Sequence, residues 1–158
     1  MQEPNDINFE VVDARSLDAT AAMESYFAEL DERFPEGFDA GDALAADAVL
    51  FDPPTGAFVV VRVAGVVVGC GGVMTIGHGV GEIKRMWIHP EHRGRGLASR
   101  LLASLEARCL EVGNPVVRLD TNAVLTDAIR MYERSGYQSV ERYNDNPYAQ
   151  RWFEKHLA

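Results

Sequence analysis

Cysteine is scarce in this 158-residue chain, which has only Cys70 and Cys109. Two thiols cannot build a disulfide framework, and both sit in apolar strand or helix patterns, which predicts buried, reduced side chains. Long hydrophobic runs are also missing. The longest, Ala57 to Val61 and Ala64 to Val68, fall far short of the roughly 20 residues that span a bilayer. Residues 1 to 30 carry many acids and no basic segment followed by an apolar one, so no secretory leader is read there. The expected place is therefore the cytoplasm, with no membrane partner. Bases are few at the start: residues 1 to 56 hold 14 acids and two bases, Arg15 and Arg33, whereas residues 57 to 158 hold 10 acids and 13 bases. A net charge of −9 excludes a role built on affinity for the phosphate backbone of nucleic acid. The uneven spread suits a protein that receives an anionic cofactor at one end and a cationic acceptor at the other; a solvated acidic surface accounts for it equally well. No internal repeat, low-complexity tract or metal-ligand spacing stands out, so no metal is expected.

What the chain does have is the composition of one globular domain, residues 1–158, with 47% apolar and 25% charged residues. Ile7 to Val12 reads as a strand. A helix follows near Asp18 to Leu30, with Ala22, Met23, Tyr26, Phe27 and Leu30 on one side. Pro35 and Gly37 break it, and Gly41 to Leu50 suits a further short helix ended by Pro53-Pro54. Ala57 to Val63 and Gly65 to Thr75 form a hairpin around Ala64-Gly65, and Gly69, Gly71 and Gly72 mark a bulge or a close backbone approach. Glu82 to Ile88 is the next strand. An amphipathic helix from Leu97 to Val112 leads to a strand over Val116 to Asp120, and a helical crossover of this kind makes the two strands parallel. Thr126 to Ser135 is a second amphipathic helix, capped by Gly136. Tyr137 to Tyr143 and Gln150 to His156 complete the strands, with a turn at Asn144 to Tyr148. The order β-α-α-β-β-β-α-β-α-β-β predicts an α/β fold, a mixed and mostly antiparallel sheet of six to seven strands with flanking helices.

The stretch from Gly81 to Gly113 carries the chemistry. Between strand and helix lies Arg93-Gly94-Arg95-Gly96. A glycine turn opening a helix leaves backbone N–H groups unpaired, with the positive end of the helix dipole behind them. Glycine allows a ligand close to the backbone, and arginines add charge-assisted bonds to phosphate oxygens. The same residues also suit a tight turn with two solvated arginines. A nucleoside-triphosphate loop is excluded because Leu97-Ala98, rather than Lys-Ser or Lys-Thr, follows the second glycine. The dinucleotide fingerprint fails at Ser99, although Asp120 lies at a suitable distance for a ribose contact.

Arg93-x-x-Gly96-x-Ala98 resembles the acyl-CoA-binding motif of the GNAT superfamily of N-acetyltransferases. Ala128-x-x-x-Tyr132-x-x-x-Gly136-Tyr137 is similar to the family's helix after the fifth strand, and the element order matches over essentially the whole chain. The resemblance implies acetyl-CoA as acyl donor, no metal, and transfer of an acetyl group to a primary amine of a small molecule or peptide. Arg93, Gly94, Arg95, Gly96, Leu97 and Ala98 would hold the pyrophosphate. Backbone groups of Met86, Trp87 and Ile88 would hold the pantetheine if the strand splays from its neighbour. Relatives often place Asn three residues before Ala128; here that position is Leu125, and Asn122 is the expected substitute. The first helices and the Leu30 to Phe38 connection would wall the acceptor site, although an exposed loop pinned by Phe34 suits that stretch equally well.

Acyl transfer to an amine requires loss of a proton from nitrogen, stabilisation of an oxyanion, and a proton or charge partner for the departing thiolate. The resemblance makes Glu82 the candidate base, directly or through water, and Tyr132 the candidate acid near the thioester sulfur. A surface glutamate beside Lys84 and a core tyrosine are the structural alternatives. His78, His89, His92 and His156 lie in turns or at strand ends, a poor setting for a nucleophilic triad. Two other functions remain open: a CoA-binding regulatory module without turnover, and a dinucleotide-binding oxidoreductase domain with affinity for NAD. The oligomeric state, a homodimer among the options, is left open.

Overall fold

The computed structural model describes residues 6–41 and 48–157. The short helix expected over Gly41 to Leu50 falls largely outside them; Ala48–Phe51 form one 3-10 turn. In chain order the elements are β1 (Ile7–Val12), α1 (Leu17–Arg33), β2 (Ala57–Val63), β3 (Val66–Gly77), β4 (Val80–Ile88), α2 (Leu97–Glu111), β5 (Val116–Thr121), α3 (Thr126–Arg134), β6 (Gln138–Val140) and β7 (Arg151–His156). The strands form one sheet in the order β1-β2-β3-β4-β5-β7-β6. Every neighbouring pair is antiparallel except β4 with β5, the pair joined through α2. The expected mixed, mostly antiparallel α/β fold is the one observed. No helix among the described residues is long and apolar enough to cross a membrane, and no group of His, Cys, Asp or Glu among them could hold a metal ion.

Local signals explain the boundaries. Ser16 caps α1 by accepting the Ala19 N–H at 3.2 Å. Ala64 and Gly65 both take positive φ, 51° and 82°, as a two-residue hairpin turn requires. Strand alternation then divides the core. Val59, Val61, Val73, Ile83, Val117, Leu119 and Phe153 face α2 and α3, where Leu101, Leu102 and Leu105 meet them. Phe58, Val60, Cys70, Met74 and Trp87 point to the opposite face and pack on Ala19, Ala22 and Met23 of α1. Each side chain so buried contributes about 1.5–3 kcal/mol. Both cysteines are free and buried, and burial pushes the Cys70 thiol up to about 12 and Cys109 to about 11.

Two irregularities of β4 place the site. In the β3–β4 ladder Cys70 pairs with Trp87 and Gly72 with Lys84, so Arg85 and Met86 stand opposite Gly71 alone. This is a β-bulge, and Arg85 sits at its turn with φ 59°. Glycine at 71 is required by close approach, because a Cβ there would lie 2.7 Å from Leu105 Cδ1 on α2. The bulge coincides with a parting of strands. β4 and β5 pair only through Val80, Gly81 and Glu82, and beyond Glu82–Arg118 they diverge. β5 is held on its other edge by six pairs with β7.

The sixth strand is shorter than the Tyr137 to Tyr143 expected. Pairing with β7 ends at Val140, and residues 141–150 leave the sheet to meet Glu82, Asp120 and the rings of Phe34 and Phe38. Gly72 meets the packed rings of Phe51, and its Cβ would come within 3.0 Å of Phe58. Gly72→Ala is therefore expected to lower stability by about 1–3 kcal/mol through overpacking. A fall in the urea midpoint at constant slope checks it.

Candidate active site

From Ile88 the chain passes through a 3-10 turn, Pro90–His92, in which His89 Nδ1 accepts the Glu91 N–H at 3.1 Å. Gly94 and Gly96 then take φ of 81° and 75°. Nothing lies within 4 Å of a Cβ built at either, so backbone conformation rather than crowding calls for glycine. Gly96 caps α2 without a side-chain bond. The first bond of the helix is Arg100 N–H to Gly96 O at 3.1 Å, which leaves the N–H groups of Leu97, Ala98 and Ser99 without a partner inside it. A cavity of about 430 Å³ runs from Met86, Trp87 and Ile88 over Gly94 and Gly96 to Tyr132 on α3. His92 also lines it, and its buried Nδ1 has no partner among the described residues.

The arginines are disposed differently from expectation. Arg93 donates through Nη2 to both carboxylate oxygens of Glu29, at 2.6 and 2.8 Å, and through Nε to Ile88 O at 2.9 Å. It braces the turn against α1, and it lines the cavity with its charge already paired. Arg95 is exposed and lies outside the cavity lining. The turn thus offers an anion mainly backbone N–H groups. Glu29 also accepts from Trp87 Nε1 at 3.1 Å and Arg33 at 3.3 Å. Burial alone would raise its pKa, but these bonds outweigh it and hold the carboxyl below its ordinary value.

On the other side of the parted strands lies a cavity of about 290 Å³. It shares Tyr26, Met86, Leu125, Ala128 and Tyr132 with the first, so the two meet at the opening between β4 and β5. Tyr132 is buried, and its hydroxyl makes no hydrogen bond among the described residues. Burial, and then the charge of Asp120, raise its pKa well above that of a free phenol. The far wall is aromatic. Phe38 lies 4.6 Å from Tyr148 and 5.4 Å from Phe27 between ring centroids, and Phe34 packs on both Phe38 and Tyr148 at 5.9 Å. The Leu30 to Phe38 stretch is therefore a cavity wall, not a free loop.

The polar side of this cavity centres on Asp120. Its oxygens accept Asn144 Nδ2 at 2.6 Å and Asn146 Nδ2 at 3.2 Å, and Trp152 Nε1 holds Asn144 Oδ1 at 3.0 Å. Glu82 lies behind it. Only 3% exposed, Glu82 lines neither cavity. Tyr143 donates to its Oε2 at 2.5 Å and Lys84 Nζ stands 3.3 Å from Oε1. Burial, and then Glu82, raise the Tyr143 phenol far above its usual value, so it remains a donor. Asn122 also departs from expectation. Its amide donates to Tyr148 O at 2.9 Å and accepts Val124 N–H at 3.0 Å, shaping the β5–α3 loop on the wall of the smaller cavity.

The model of the acetyltransferase (GNAT) family matches residues 20–137, three quarters of the chain. The chain belongs to that family. The GNAT protein is 30% identical to an IAA acetyltransferase of Azospirillum brasilense over 125 residues, 78% of this chain and 82% of that one. Among solved structures, a candidate acyl-CoA N-acyltransferase from Klebsiella pneumoniae matches with a TM-score of 0.77 at 27% identity, covering 96% of this chain and 98% of the other. A GNAT family acetyltransferase from Elizabethkingia anophelis with acetyl-CoA bound has the same fold, at a TM-score of 0.70 and 12% identity over 97% and 99% of the two chains. This GNAT protein is accordingly an acyltransferase.

Of the residues singled out in its sequence, Met86, Trp87, Ile88, Arg93, Gly94, Gly96, Leu97, Ala98 and Tyr132 are gathered around the larger cavity. Glu82, Arg95 and Asn122 are not. Sequence reasoning weighed Asp120 only as a ribose contact and did not single out Asn146 and Tyr148 as cavity wall, whereas Tyr26, Phe27 and Phe38 lie in the first helix and the connection named there as a wall. The alternation of β5 could have flagged Asp120, since Val117 and Leu119 face the core and Asp120 must face away. A depressed folded-state pKa contributes stability above the unfolded value near ~4.3 that is lost as pH falls through the folded value. The stability gap between wild type and Glu29→Gln should therefore shrink as pH is lowered from 7 to 3, measured by urea unfolding across that range.

Proposed function

We propose that this GNAT protein transfers an acetyl group from acetyl-CoA directly to a primary amine. The observation that supports this is the meeting of two cavities at Tyr132, on either side of the opening between β4 and β5. Acetyl-CoA would take the larger cavity. Its pyrophosphate would rest on the N–H groups of Gly94 to Ala98, where the α2 dipole adds favourable potential. Its pantetheine would lie along Met86 to Ile88, whose backbone is released from β5 beyond the last pair at Glu82. The acceptor would enter through the smaller cavity.

An alkylammonium, with a pKa near ~10, must first lose a proton. In this reading it gives that proton up on the polar side of the smaller cavity, where Asp120, one of two aspartates in the lining with Asp39, is the candidate acceptor. Glu82 acts through Lys84 and Asn144, because its own oxygens are bonded and shielded. The neutral nitrogen attacks the thioester carbonyl, forming the N–C bond. Collapse breaks the C–S bond, and the sulfur takes the proton of the Tyr132 hydroxyl, which is later restored from the second proton lost by nitrogen. The net products are the amide, free CoA thiol and one proton. The raised pKa of Tyr132 suits this role, since the phenol is kept protonated at working pH.

Tyr132→Phe retains the ring and removes the hydroxyl, and is expected to lower turnover roughly 10²-fold with little change in acetyl-CoA affinity. Thiol release and calorimetry measure the two quantities, and a wild-type rate would return Tyr132 to the core. Gly96→Glu places a side chain and a negative charge at the start of α2, in a backbone conformation that favours glycine. Loss of acetyl-CoA binding in a folded Gly96→Glu protein is expected; unchanged affinity would move the donor elsewhere.

A further inference from the structure

We infer that the acceptor is a compact amine with an aromatic body and no carboxylate of its own, an arylalkylamine of a few carbons between ring and nitrogen. The inference rests on the smaller cavity being the acceptor side of the proposed reaction. Three features of that cavity converge on it. Its volume, about 290 Å³, lies at the low end of the ~300–1,000 Å³ typical of small-molecule sites and leaves little room for an extended peptide. Phe27, Phe34, Phe38 and Tyr148 line it with rings already packed against one another. Such rings offer edges and faces to another ring, and little to a flexible polyamine chain beyond one cationic group.

The third feature is the state of its charges. Asp120 is bound by two neutral amides, and no cation stands within ion-pair distance of it among the described residues. A half-buried carboxylate so placed is complementary to an ammonium group. The cations of the same cavity are otherwise disposed. Lys84 pairs with Glu82 at 3.3 Å, and the guanidinium of Arg85 lies 5.4 Å from the ring centroids of both Phe27 and Phe51. An α-carboxylate entering beside Asp120 would meet like charge, so an amino acid is disfavoured against the amine of the same side chain. The aromatic wall and Asp120 face one cavity, so ring and ammonium of one small molecule can be held together.

The test compares phenethylamine, phenylalanine, spermidine and a short peptide as acceptors in thiol release from acetyl-CoA. Phenethylamine is expected to lead in kcat/KM by roughly tenfold or more over each of the others. Phe38→Ala should raise its KM roughly tenfold while leaving acetyl-CoA affinity unchanged, since Phe38 lies outside the larger cavity. Asp120→Asn should lower kcat/KM for phenethylamine roughly 10²-fold and narrow its lead over phenylalanine. A preference for spermidine, phenylalanine or the peptide would overturn the inference, as would an unchanged KM in Phe38→Ala. If no acceptor releases thiol although acetyl-CoA binds, direct transfer fails as a reaction, and calorimetry of phenethylamine with the CoA complex decides the present point. Binding weakened by Phe38→Ala sustains it, and absence of binding rejects it.

Discussion

The parting of β4 from β5 is the constraint on which the rest of the molecule depends. A parallel pair buried between helix layers would normally run on to the ends of both strands, because unpaired backbone groups inside a protein are costly. Here pairing stops at Glu82–Arg118, three residues into β4. The bulge at Arg85 and Met86 turns the strand where pairing has ended, and a residue other than glycine holds φ 59° to do so. Strained backbone at a non-glycine residue costs on the order of 1–3 kcal/mol and is kept where the surroundings over-determine it. The surroundings here are Gly71, Leu105 and the rings of Phe27 and Phe51. What the strain secures is an opening through the sheet, with a cavity at each mouth.

The two mouths are built by different physics. The cradle before α2 relies on backbone N–H groups, whose direction is set by Gly94 and Gly96 and does not depend on a mobile side chain. Arg93, which could have been a flexible cation over the ligand, is fixed by Glu29 and Ile88 O. That bond ties the turn to α1, the helix whose residues Tyr26 and Phe27 also wall the smaller cavity. The glycine turn and the aromatic wall are thus parts of one braced unit. The smaller cavity depends instead on side chains from separate segments, among them the loop 141–150.

That loop deserves comparison with the strand it interrupts. Had β6 continued to Tyr143, Glu82 would have lost the phenol that bonds it and Asp120 both of its amides. A buried carboxylate without such partners is destabilising by several kcal/mol or is forced to protonate. By leaving the sheet the loop satisfies two acids and completes the aromatic wall with Tyr148, whose hydroxyl meets the backbone of Asp39. Satisfaction of charge and shaping of the cavity are the same structural event.

Local pattern was enough for the strands, the three main helices, the hairpin at Ala64-Gly65, the parallel pair and the glycine turn. Each depends on residues close in sequence: a period of two or 3.6, a cap, or a turn that needs positive φ. The same locality made Gly94, Gly96 and Tyr132 legible, since their motifs span no more than ten residues. The shortening of β6, the place of Asp120 on a cavity wall, and the burial of Glu82 were not legible. All depend on residues 141–150 packing over Glu82 and Asp120, and no periodicity within that segment specifies where it lands. Nor does a basic glycine turn reveal that Glu29, 64 residues away, takes the guanidinium of Arg93. Sequence alone determined the fold and the backbone cradle, because both are written in short-range conformational preference. Tertiary structure decided which charges are free to meet a ligand, because that depends on partners brought together from distant parts of the chain.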